Sequence, residues 1–110
     1  MEKLKTGTRQ VEGVTIVDLS GRITLGEGNV ILQNTIRDLV DKGNKKILLN
    51  LGNVNYIDSS GIGALVRSHT SIRSQGGELK LVNLSKRVHD LLQITKLNTL
   101  FGIKDDDQRR

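Results

Sequence analysis

Asn55-Tyr56-Ile57-Asp58-Ser59-Ser60-Gly61-Ile62-Gly63-Ala64-Leu65-Val66 joins a strand-like apolar run to a helical apolar pattern across one short, hydroxyl-rich turn. Upstream, Ile47-Leu48-Leu49-Asn50-Leu51 is nearly continuous in apolar residues, as a buried sheet strand is. Downstream, Ile62, Leu65, Val66, His69 and Ile72 recur at offsets of three, four, seven and ten, which places them on one face of a helix. Asp58, Ser59 and Ser60 fall at the junction, where side-chain oxygens accept from the free N–H groups of a helix's first turn. Gly61 and Gly63 keep that turn sterically bare. A strand that feeds directly into a helix in this way is the repeating step of an α/β fold.

The same step recurs on both sides. Leu4 to Val11 is a strand candidate, and Gly13 separates it from the β-branched run Val14-Thr15-Ile16-Val17-Asp18-Leu19, so the two are expected to pair as a hairpin. Gly21, Gly26 and Gly28 punctuate a loop. Leu32, Ile36, Leu39 and Val40 then form one apolar helix face that should end at Gly43, with Lys42 in the last turn. The helix beyond Ser60 should stop near Gly76-Gly77. Glu78-Leu79-Lys80-Leu81-Val82 reads as a further strand, and Leu84, Val88, Leu91, Leu92 and Thr95 mark a third helix capped by Asn83 or Ser85. A last short strand or helix is expected from Leu100 to Ile103, followed by a fraying polar tail, residues 104–110. This alternation predicts an α/β layer with parallel middle strands and helices covering the sheet. A chain of 110 residues makes a single domain, residues 1–110.

Composition narrows the chemistry. With no cysteine, disulfides, thiolate nucleophiles and cysteine metal sites are excluded, and the composition suits a reducing cytoplasm. No apolar stretch is long enough to span a bilayer. The net charge of +5 raises a nucleic-acid partner, but Lys and Arg are dispersed, and one Tyr and one Phe offer few rings for stacking on bases. A serine nucleophile fails on context, because neither Ser59 nor Ser60 follows a glycine at the spacing of a nucleophile elbow. His69 falls on the apolar helix face and His89 on the exposed side of the third helix. Neither has a spaced carboxylate partner to make a metal site. Gly21-Arg22-Ile23-Thr24-Leu25-Gly26-Glu27-Gly28 matches neither a Walker loop nor a dinucleotide fingerprint. On chemistry alone Asp58-Ser59-Ser60-Gly61 is a helix cap, and no cofactor is called for.

The run Val54 to Val66, preceded by Ile47 to Leu51 and followed by Gly76 to Val82, resembles bacterial anti-sigma factor antagonists of the STAS family. The similarity extends from Val14-Gly21 upstream to Val88-His89-Asp90-Leu91-Leu92 downstream. It implies a four- or five-stranded mixed sheet covered by several helices, and no catalytic activity. It further implies a binding switch, in which the unphosphorylated protein captures an anti-sigma factor of the serine kinase type and frees the sigma factor. The kinase then modifies the first serine of the box, here Ser59, and a PP2C-type phosphatase resets it. Asp58, Ser60 and Gly61 match the rest of the box and are expected, with Ser59 and Thr24, to form the partner-binding surface. Thr24 departs from the pattern, since many members carry an acid there. Two further readings stand beside this one: a non-catalytic STAS scaffold within a signalling complex, and a small nucleotide-binding domain.

Overall fold

The two-residue link Glu12-Gly13 has positive φ at both positions (52° and 83°), the twist that closes a tight hairpin. In the computed structural model, which describes residues 3–101, it joins β1 (Lys5–Val11) to β2 (Val14–Ile23) in antiparallel register from Val11↔Val14 to Lys5↔Ser20. The chain continues through α1 (Glu27–Asp41), β3 (Lys46–Ile57), α2 (Ser59–Ser74), β4 (Glu78–Val82) and α3 (Lys86–Ile94). The sheet order is β1-β2-β3-β4, with β2·β3 and β3·β4 parallel. This is the mixed α/β arrangement expected, with four strands where four or five were implied and the hairpin strand as its antiparallel edge.

Alternation along the strands decides where the core lies. Thr15, Val17, Leu19 and Ile23 of β2, Ile47, Leu49 and Leu51 of β3, and Leu79 and Leu81 of β4 are buried, and they meet Leu32 and Ile36 of α1 and Ile62, Leu65 and Ile72 of α2. The alternate row differs from the expectation of a covered sheet. Ile16, Asp18, Leu48 and Asn50 are only half-buried, and Arg22 and Lys80 are exposed. Asp18 there accepts from Arg9 (2.8 Å) and from Asn50 (2.7 Å), which ties three strands together by polar bonds. An apolar run with polar residues on its second face is half-covered, because charged and amide groups keep their solvation only on an open side.

Several boundaries move. β3 runs well beyond Leu51, since Val54 and Ile57 resume the buried row after Gly52-Asn53, and the β2 register slips twice opposite this segment. Gly21 lies inside β2, not in a loop; its φ is +113° and a Cβ there would sit 2.5 Å from the Lys3 carbonyl oxygen. Gly28 lies in the first turn of α1. Lys42 caps α1 rather than lying within its last turn, and Gly43 follows at φ +92°. α2 begins at Ser59 and buries Ala64 and Ser68 more deeply than Val66 or His69. Ser68 borders a crevice between α1 and α2, so the inward face of α2 is turned toward its helical neighbour. Ser85 caps α3, accepting from the Val88 N–H at 3.2 Å. Leu100 and Phe101 form a turn, and the rest of the element expected there, with the tail, lies outside the described residues.

Candidate functional site

β3 delivers the Asp58-Ser59-Ser60-Gly61 box to the edge of the core. Ile57 is its last buried side chain, and the Asp58 N–H donates to the Ile23 carbonyl oxygen at the end of β2 (3.4 Å). Asp58 then leaves the strand in extended geometry and caps α2. Its carboxylate accepts from the Ser60 hydroxyl (2.6 Å) and the Gly61 N–H (2.9 Å), and the Leu25 N–H of the β2–α1 turn faces it. The Ser60 hydroxyl first, and then these backbone donors, hold the carboxyl below its ordinary range against the opposing effect of burial. One side chain therefore fixes the start of α2 beside the β2–α1 turn.

The two serines are held differently. Ser60 is half-buried with its hydroxyl committed to Asp58, whereas Ser59 is the first helical residue, exposed, and its hydroxyl makes no hydrogen bond among the described residues. Gly61 is obligatory for this approach: a Cβ would lie 2.3 Å from the Ile23 oxygen and 2.6 Å from Ile57 Cγ1. Thr24, between the residue whose carbonyl meets the Asp58 N–H and the residue whose N–H faces its carboxylate, is half-buried beside the box. It lines a hollow of about 200 Å³ with Lys3, Leu4, Arg22, Leu25, Glu27 and Gly28. All five residues expected at the site are thus brought to one end of the sheet.

Sequence reasoning missed what surrounds them. Tyr56 pairs with Arg22 across β2 and β3, and the Arg22 guanidinium lies 4.5 Å from the ring centroid, with that of Arg87, at the start of α3, at 5.9 Å. No short-range pattern links these residues, since each comes from a different element. The histidines also need correction. His69 is half-buried, edge-on to Phe101 at 5.2 Å, and His89, expected on an exposed side, is fully buried beside Val88 and Leu92. Adjacent residues lie only about 100° apart around a helix, so a short helix sunk into the core buries both.

Sheet, helices and a serine box at the strand-to-helix junction together define a small α/β domain whose candidate site lies at the N-terminus of α2. A model of the STAS domain matches residues 6–108. The anti-sigma-B factor antagonist of Bacillus subtilis is 31% identical over 100 residues, covering 91% of this chain and 90% of that protein. The anti-sigma F factor antagonist of Paenibacillus polymyxa is 28% identical over 95 residues, covering 86% and 81%. The crystal structure of a candidate anti-sigma factor antagonist from Thermotoga maritima superposes with a TM-score of 0.81 at 30% identity, covering 91% of this chain and 86% of that one. The chain belongs to the STAS domain family, among its anti-sigma factor antagonists.

Proposed function

We propose that the unphosphorylated protein captures an anti-sigma factor of the serine kinase type through the surface around Ser59 and so frees a sigma factor. Phosphorylation of Ser59 ends the capture, and a PP2C-type phosphatase restores it. The observation that carries this reading is the difference between the serines: Ser59 presents a free, exposed hydroxyl at the first position of α2, while Ser60 is tied to Asp58. In the transfer, the Ser59 oxygen attacks the γ-phosphorus of ATP, ADP leaves, and the hydroxyl proton passes to a base on the kinase. The chain itself supplies no catalytic group.

Charge makes the switch. A phosphoserine carries about −1.5 to −2 charges, which the N-terminus of a helix favours by about 0.3 to 1 kcal/mol and the nearby Asp58 carboxylate opposes. The fold therefore survives modification. At an interface the same group must shed water, and about 3 kcal/mol lost there weakens binding roughly a hundredfold. Titration calorimetry against the cognate anti-sigma factor tests this. Ser59→Asp should lose affinity at unchanged melting temperature, Ser59→Ala should bind and resist phosphorylation, and Ser60→Ala should still take phosphate at Ser59. Equal affinities for wild type, Ser59→Asp and the phosphorylated protein would replace the switch with the scaffold reading.

A further inference from the structure

Two arginines from opposite ends of the chain converge on one ring beside the box. Arg22 and Arg87 are both exposed, both lie over Tyr56, and neither takes part in an ion pair among the described residues. The carboxylates nearby are engaged elsewhere: Asp58 holds the Ser60 hydroxyl and backbone N–H groups, Glu27 faces Lys3 at 3.9 Å, and Asp90 faces Lys86 at 2.9 Å. Arg9, by contrast, forks onto Asp18 through two nitrogens, which shows what a satisfied arginine looks like in this protein. Stacking on an aromatic face leaves the in-plane N–H donors of a guanidinium free, and it orders a side chain that would otherwise lose entropy on binding.

An apolar element adjoins Arg22. Leu25, 78% exposed, sits on the β2–α1 turn, and with Arg22 and Thr24 it lines the hollow of about 200 Å³. An ordered pair of guanidinium groups without ion-pair partners among the described residues, with an exposed leucine beside Arg22, matches carboxylate side chains with an apolar neighbour.

We propose that Arg22, Tyr56 and Arg87, with Leu25, form the specificity surface of the box, and that it docks an acidic, leucine-accepting patch of the anti-sigma partner. The inference rests on the capture reading above and adds the chemistry of the partner. Tyr56 orders the two cations, the arginines select the partner by charge, and Leu25 anchors it. The Glu27 carboxylate in the same hollow faces Lys3, and Thr24 offers Arg22 none, so Thr24→Asp would compete with the partner for that guanidinium.

The test uses the full chain and the anti-sigma factor that wild type retains from its own cells, identified and then expressed alone. Calorimetry is run in a sodium chloride series on Ser59→Asp, Arg22→Glu/Arg87→Glu, Tyr56→Ala, Leu25→Ala and Thr24→Asp. Lys46→Glu/Lys80→Glu, at exposed sites away from the box, matches the change in net charge. The arginine reversal should weaken binding roughly tenfold or more, flatten its salt dependence and leave the melting temperature unchanged, while the lysine pair should change affinity little. Reversal of the partner's acidic patch to lysine should restore binding to the Arg22→Glu/Arg87→Glu protein. If Ser59→Asp abolishes binding but the arginine reversal binds like the lysine control, the specificity surface is refuted and the capture reading stands. If no anti-sigma factor is retained, or Ser59→Asp binds as wild type does, the capture reading falls and this inference falls with it.

Discussion

Gly61 has no side chain because there is no room for one. Carbonyl and side-chain atoms at the ends of β2 and β3 occupy the place a methyl group would take, so Gly61→Ala must push α2 away from the sheet. Urea unfolding should show a loss of about 1–3 kcal/mol. Gly63 is the contrast: a Cβ there meets only the Arg67 guanidinium at 3.2 Å, a flexible group that can move aside. Gly63→Ala should be neutral or stabilising, by up to about 1 kcal/mol from helix propensity. Asp58 acts at the same scale. Its folded carboxyl titrates below its unfolded value, so its stabilisation is complete above about pH 3.9 and disappears as pH falls through the folded value. Asp58→Asn should flatten the acid limb of a stability profile relative to wild type, and Asp58→Ala should cost about 1 kcal/mol at neutral pH through the lost cap.

Among the elements, β3 and α2 carry the fold because they form one continuous unit through the box. β3 lies between β2 and β4, and α2 packs its Ile62, Leu65 and Ile72 into the core these strands share. Leu49 and Leu65 are completely buried there. Leu49→Ala and Leu65→Ala should each lower stability by about 2–5 kcal/mol, a large part of what a small domain has. A denaturant melt showing less than about 0.5 kcal/mol for either would contradict the packing. The helical periodicity of α2 and the burial of Ile62, Leu65 and Ile72 were readable, but the centre of its inward face was not. Val66 and His69 are as apolar or as bulky as a core position requires, yet Ala64 and Ser68 lie deeper, because small side chains let a helix approach its neighbours.

For the molecule as a whole, an excess of five positive charges is dispersed along the sequence and is not gathered into one basic helix. Binding to DNA should therefore be weak, insensitive to sequence and lost as salt rises, which a fluorescence-anisotropy titration over increasing salt would check. Tight, sequence-selective binding at physiological salt would overturn this. The core is built on one face of the sheet, and the other face carries the Arg9-Asp18-Asn50-Asn83 network of hydrogen bonds. Among the described residues, no helix is long and apolar enough to cross a membrane.

The order of strands and helices, the hairpin and the cap of α2 were legible in the chain, because each depends on residues close together in sequence. Periodicity is local, a cap acts over three residues, and glycine punctuates where it stands. The continuation of β3 past Gly52-Asn53 was hidden because a bulge breaks the alternation that periodicity relies on. The burial of His89, the half-open sheet and the stacking of Arg22 and Arg87 on Tyr56 belong to the tertiary structure alone. Each depends on which elements become neighbours, and a side chain's pattern within its own element does not encode what another element will place against it.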